Sequence, residues 1–303
     1  MSVTTGPAAM SLGDGHAAAL RRDRTIERWL MLSLAAPALL LVFVCLIVPV
    51  GWLFYLSFFT DGGVATLHNY RNLVEQPSYA RIFWTTFKVS ALTTAICAVL
   101  GYPLAYFMSQ LSARAANLCI ILVLLPFWTS LLVRTYAWLV LLQRTGLINT
   151  WGMQLGLWSE PLALVNNMTG TLIGMVHIML PFIVLPLYGS MRTIDRTLVQ
   201  AAANLGASPV QSFVRVFLPL SLPGLTAGAL VVFILCLGFY ITPEVLGGGR
   251  VTMVSSRIAT DIDTFLNWGS ASALGAVLLL LTLILLWVAS RLAKGLSLVG
   301  AGH

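Results

Sequence analysis

Apolar residues in this chain gather into runs long enough to cross a lipid bilayer, separated by short polar stretches. A hydrocarbon core about 30 Å thick is spanned by about 20 helical residues. The pattern predicts six such spans, near residues 29–57, 83–108, 116–142, 169–190, 221–242 and 270–291. The first is not read as a signal peptide, because a long polar and charged stretch precedes it and no small-residue cleavage site follows. Residues 1–28 read as a loose tail, 29–294 as the membrane domain and 295–303 as a second tail. The predicted fold class is an all-α integral membrane protein with six transmembrane helices.

The connections differ in pattern. Residues 58–82 and 143–168 read as polar loops with turn signals such as Asp61-Gly62-Gly63. After Gly247-Gly248-Gly249, the residues Val251, Val254, Ile258, Ile262 and Phe265 recur at steps of three and four, which predicts an amphipathic helix. Its other face carries Ser255, Arg257, Thr260, Asp261 and Thr264. The stretch 196–219 reads as helix, turn, helix. Leu198 to Leu205, with Ala201, Ala202 and Ala203, is a good helix former. Gly206 supplies a left-handed stop, and Ser208-Pro209-Val210-Gln211 has the form of a capping box with proline at the first helical position. Val210, Phe213, Val214 and Phe217 fall on one apolar face. Together these features predict a docking knob for another protein.

Composition narrows the class. The chain is 58% hydrophobic and 9% charged, against roughly 25% charged in soluble domains, which excludes a soluble globule. Its net charge of +7 points in so apolar a chain to cytoplasmic loops and not to nucleic acid. With the N-terminus inside, the cytoplasmic segments hold Arg21, Arg22, Arg24, Arg28, Arg114, Arg192, Arg196, Arg215, Arg291 and Lys294, and the outer ones Arg71, Arg81, Arg144, Arg250 and Arg257. That bias predicts both termini in the cytoplasm. The cysteines, Cys45, Cys97, Cys119 and Cys236, lie in apolar runs without metal or disulfide spacing and read as small buried hydrophobes.

Catalytic chemistry is sparse. Lys88 and Lys294 are the only lysines, and neither stands in a phosphate-cradling loop. The histidines are scattered, and His177 reads as a hydrogen-bonded bundle residue. Asp261 and Asp263, two apart on a helix, diverge and do not form a metal site. The chain is therefore read as no enzyme, with no metal and no cofactor of its own. Arg134 is an ionisable residue within a span, flanked by Trp128, Tyr136 and Trp138, and such a residue is a functional hypothesis by default. Two readings stand: an anchor that snorkels or pairs with Glu160 or Glu244, or part of a translocation path with Trp128, Tyr136, Trp138, Tyr240, Glu244, Asp261 and Asp263. Pro103, Pro126, Pro181, Pro186 and Gly238 predict kinks, and Gly224-xxx-Gly228 predicts a close helix approach.

Residues 200–219, QAAANLGASPVQSFVRVFLP, resemble the pattern E-A-A-x3-G-x9-I-x-L-P of the membrane-spanning subunits of bacterial ABC importers. Ala201, Ala202, Gly206, Leu218 and Pro219 match; Gln200 stands for Glu and Val216 for Ile. Residues 126–138 and 238–248 look like the corresponding segments of the spermidine/putrescine permease subgroup, whose relatives include importers of amino acids such as 4-aminobutyrate. The resemblance implies a type I importer permease bundle in the bacterial inner membrane, working by alternating access. It implies a second permease subunit, two copies of a cytoplasmic ATPase that bind ATP and Mg, and an extracytoplasmic substrate-binding protein. It also implies that Gln200, Ala201, Ala202, Gly206, Ala207, Ser208, Pro209 and Phe213 form the ATPase-coupling segment. A polyamine is the substrate so implied. An amino acid carried by the same machinery and a stand-alone secondary transporter remain as alternatives, because the spans hold no deep carboxylate to meet a polyamine's ammonium groups.

Overall fold

The computed structural model describes residues 8–59 and 64–300, with side chains from residue 30 to 291 apart from 32 and 60–63. Residues up to Tyr55 and those from Leu56 onward form two compact units. The described residues of the first all belong to one helix, α1 (Ala8–Ser57), with Pro37 and Pro49 inside it and exposed apolar side chains such as Leu34, Leu41 and Phe43. The stretch read as a loose tail is thus helical from Ala8, since the strong helix formers around Ala17–Arg24 need no amphipathic period to form a helix. Residues 1–7 of that tail and the Asp61-Gly62-Gly63 turn signal lie outside the described residues.

The second unit continues with α2 (His68–Glu75), α3 (Pro77–Gln110), α4 (Ala113–Leu124), a 3-10 turn (Leu125–Trp128), α5 (Leu131–Leu142) and α6 (Leu147–Gln154). Then follow α7 (Met168–Arg192), α8 (Arg196–Asn204), α9 (Pro209–Ser212) and a π turn (Phe213–Phe217). The unit closes with α10 (Leu218–Leu237), α11 (Ile241–Gly247), α12 (Val254–Asp263) and α13 (Trp268–Gly300). Among the described residues, five helices are long and apolar enough to cross a membrane, or six if the bent pair Ala113–Trp128 and Leu131–Gln154 is taken as one span.

Helix α7 is the centre. Met175, Met179, Ile183 and Leu187 are buried against Cys97, Ala105 and Met108 of α3 and against Val232 and Cys236 of α10. The approach of α10 to α7 depends on Gly228: a methyl group there would lie 2.9 Å from Ile183 Cγ1 and 3.1 Å from Ile183 Cα. The small-residue pair Gly224 and Gly228 therefore brings the two helices to backbone contact, as its spacing predicts.

Four further expectations are corrected. The span expected at 116–142 is broken: after the 3-10 turn the chain bends by 90°. Pro126 cannot donate to the helical ladder, and Thr129 instead closes a turn by donating both its N–H and its hydroxyl to Pro126 O, at 3.2 and 2.7 Å. The span expected to end at 242 ends at Leu237, because Gly238 caps α10 and the chain restarts as α11. The C-terminal tail expected from 295 is helical through Gly300, and residues 301–303 lie outside the described residues. The loop expected at 143–168 contains α6, held by Asn149, which bridges Gln143 O and Leu162 O at 3.0 Å each and accepts from Leu162 N.

Candidate functional site

The link from α7 to α10 is built by local backbone rules. Asp195 caps α8, its Oδ1 accepting from Thr197 N at 2.9 Å, and that bond holds the Asp195 carboxyl below its usual range. At the other end Gly206 takes φ +86°, a conformation that disfavours any side chain. Gly206 N donates to Ala203 O at 2.9 Å and Ala207 N to Ala202 O at 3.0 Å, the paired bonds of a Schellman stop. Ser208 then opens α9 with a complete capping box: its N–H donates to Gln211 Oε1 at 3.0 Å and its hydroxyl accepts from Gln211 N at 3.3 Å. The turn between the two helices projects Leu205, 89% exposed, and Val210, 71% exposed, with Leu198 and Ala201 beside them.

The back of this knob is fastened to the bundle. Helix α9 is a single turn that passes into the π turn, where Leu218 N donates to Phe213 O. The rings of Phe213 and Phe217 meet Tyr106 edge-on at 5.2 and 5.1 Å, and Phe213 meets Tyr102 at 6.1 Å. Tyr102 Oη pairs with Ser221 Oγ at 2.8 Å, and Arg196 Nη2 donates to Ser109 O at 3.0 Å. The apolar stripe expected along 210–217 is therefore divided: Val210 and Val214 face out, Phe217 is buried and Phe213 turns inward. Phe213, expected among the coupling residues, packs on α3. The extra residue of the π turn, which follows Phe213, turns Phe217 inward where a continuous α-helix would set it outward with Val210 and Val214.

At the other end of α10 the residues expected to line a path do not all come together. Trp128 is exposed at the end of the 3-10 turn, and Tyr136 is exposed on α5. Arg134 is half-buried with its guanidinium 5.8 Å from the Phe127 ring centre, and its buried Nε has no partner. It makes no ion pair with Glu160 or Glu244. Trp138 Nε1 donates to His177 Nδ1 at 3.1 Å, which leaves Nε2 to carry the proton of the neutral ring; His177 is the hydrogen-bonded bundle residue it was expected to be. Tyr240 and Glu244 are exposed one turn apart at the start of α11, and Thr242 between them meets Thr135 of α5 at 3.2 Å.

Asp261 departs from its expected place. It is 1% exposed, with Oδ1 3.0 Å from Arg257 Nε and Oδ2 accepting from Ser270 Oγ at 2.9 Å. Arg257 in turn lies over the rings of Tyr79 and Phe265. This clasp joins α12, α13 and α3 and leaves no carboxylate oxygen for a passing ligand. Asp263 is exposed on the far side of α12. Among the described residues no group of three His, Cys, Asp or Glu side chains gathers to hold a metal ion.

The family described as "Binding-protein-dependent transport system inner membrane component" matches residues 98–298, from α3 through α13. The chain belongs to this family of importer permeases. The permease is 36% identical over 272 residues to the spermidine/putrescine transport system permease protein PotB of Haemophilus influenzae, covering 90% of this chain and 93% of that one. It is 32% identical over 271 residues to PotB of Escherichia coli K12, covering 88% and 96%. Among solved structures, a bacterial ABC transporter that imports the acidic polysaccharide alginate has a chain with TM-score 0.71 at 16% identity, over 90% of this permease and 98% of that chain. A bacterial alginate ABC transporter in complex with an alginate pentasaccharide-bound periplasmic protein has a chain with TM-score 0.72 at 17% identity, over 89% of this permease and 96% of that chain. These likenesses establish the importer permease fold.

Proposed function

We propose that this permease forms, with a second permease, the pathway of an ATP-driven polyamine importer of the bacterial inner membrane, with its own N- and C-termini in the cytoplasm. The observation that carries the reading is the knob of Leu205 and Val210, held outward by the Schellman stop and the capping box and anchored behind by Phe213 and Phe217. An exposed apolar tip on a rigid base fits a cleft in another protein, here one of the two copies of a cytoplasmic ATPase that binds ATP and Mg. Closure of the ATPase pair would draw the knobs together, and the π turn and α10 would pass that motion to the bundle, giving alternating access. A substrate-binding protein would deliver its ligand to the outer side, where α2, α6 and α12 lie. The polyamine assignment rests on the PotB relatives, which span nearly the whole chain.

Tyr240 and Glu244 supply an aromatic face and a carboxylate on one exposed surface, the chemistry an ammonium group requires. Arg134 would repel such a substrate. In this reading it steadies the segment after the bend through Phe127.

Reconstitution with the cognate permease, ATPase and binding protein tests the proposal. Spermidine or putrescine uptake should require ATP, and 4-aminobutyrate should not compete. Glu244→Gln should raise the polyamine KM about tenfold, the size of one charge-assisted hydrogen bond, with kcat little changed. Uptake without the ATPase, or preference for the amino acid, would overturn it.

A further inference from the structure

Behind the knob lies a cavity of about 610 Å³, bounded by the ends of α3 and α7, by α8 and by the π turn. Its floor is aromatic, from Tyr106, Phe213 and Phe217, and its rim carries Arg192, Arg196 and Gln200. Arg192 is steadied by Tyr188, whose hydroxyl accepts from Nη1 and whose ring centre lies 5.8 Å from the guanidinium. Arg196 is steadied by Ser109 O. Neither has a carboxylate partner: the ion pairs among the described residues are Arg71–Glu75 and Arg257–Asp261. Asp195, next in sequence to Arg196, is exposed, caps α8 and does not line the cavity. Gln200 stands where the importer motif has Glu, so the lining contains no acid.

Ser212 makes this wall chemically incomplete. It is 3% exposed, lines the cavity, and its hydroxyl has no hydrogen-bond partner. An unpartnered buried hydroxyl costs about 1–3 kcal/mol, which a ligand acceptor would recover. Two guanidinium groups and a hydroxyl above an aromatic floor match a phosphate that carries an apolar body, since guanidinium forks suit phosphate oxygens. Basic pockets between helices at a cytoplasmic membrane border bind anionic headgroups on these terms.

We propose that this cavity holds the phosphodiester headgroup of an anionic phospholipid, with Arg192, Arg196 and Ser212 on the phosphate and the glycerol end against Phe213 and Phe217. This placement rests on the orientation proposed above, which puts the cavity at the inner leaflet. A lipid seated there ties α8 to the ends of α3 and α7, so the stiffness of the knob depends on the membrane around it.

The test uses the assembled importer in nanodiscs of phosphatidylcholine with or without phosphatidylglycerol, without substrate or ATP, and counts retained phosphatidylglycerol by native mass spectrometry. Arg192→Gln and Arg196→Gln should each lower retention about fivefold, the contribution of one basic residue at an anionic surface. Arg192→Lys should fall between Arg192→Gln and the unchanged protein, and Ser212→Ala should lower retention without disturbing assembly. Inorganic phosphate at millimolar concentration should not displace the lipid; displacement would mean that the site takes a free phosphate. Unchanged retention in an assembled Arg192→Gln, Arg196→Gln double variant would overturn the proposal. Protease access to residues 196–219 in inverted vesicles reports the orientation separately, so its failure is distinguishable.

Discussion

The knob before α10 and helix α12 beyond its other end are both short helical segments with an apolar and a polar side, yet they dispose of those sides in opposite ways. In the knob, polar groups are consumed locally by Asp195, Ser208 and Gln211, and the apolar Leu205 and Val210 are left facing outward. In α12 the apolar Val254 is buried and the charges turn inward as well, Asp261 and Arg257 closing on Ser270, Tyr79 and Phe265. Backbone rules build a surface that offers itself to a partner. Tertiary contacts build one that holds a bundle together.

That contrast is sharpest at Gly206. Replacing it by Val forces a β-branched side chain to a positive φ and should cost the turn about 2 kcal/mol, roughly a thirtyfold loss of the docking conformation. ATP-dependent uptake and co-purification of the ATPase should collapse together, while membrane insertion is retained. Full uptake by Gly206→Val would dissolve the distinction between the two regions.

Asp261→Ala should act on stability instead. Breaking a buried pair costs several kcal/mol, but Arg257 is 32% exposed and water relieves part of the loss, leaving about 2 kcal/mol in thermal unfolding of the detergent-solubilised protein. Asp261→Asn should recover part of it through Ser270. If either variant kept its stability and changed the polyamine KM, Asp261 would belong to the path and not to the clasp. The smallest effect should follow Ser208→Ala, which removes one half of the capping box for about 1 kcal/mol. Uptake should fall a few-fold, with the thermal transition nearly unmoved.

The same contrast decides which features are legible in the amino-acid sequence. Gly206, Ser208, Pro209 and Gln211 act on near neighbours along the chain, so the stop and the start of the knob can be read from spacing alone. The glycine pair 224 and 228 is legible for the same reason. A regular α-helix would set Phe217 outward with Val210 and Val214, and nothing local announces the π turn that moves it inward. Asp261 looks available in the sequence because Ser270 and Tyr79, which enclose it with Arg257, lie on other helices. The break in the third span carries one signal, Pro126, inside a run equally apolar on both sides; a proline reads as a kink, and the size of the bend depends on what α5 meets. His177 and Trp138 lie far apart along the chain, and no local pattern marks their hydrogen bond.

The 90° bend after Trp128 has a consequence for solvation. The stretch Ala113–Trp128 is about 24 Å long at 1.5 Å per residue, short of a 30 Å hydrocarbon layer. With Ala113 set at the headgroup border, the irregular backbone at Thr129 and Ser130 would fall at membrane depth, and both residues are exposed in this chain. Lipid tails offer no hydrogen bonds, and non-helical backbone at that depth persists only against protein or water. This corner of the permease is therefore a shoreline: whatever lies beyond it is wet or is another polypeptide.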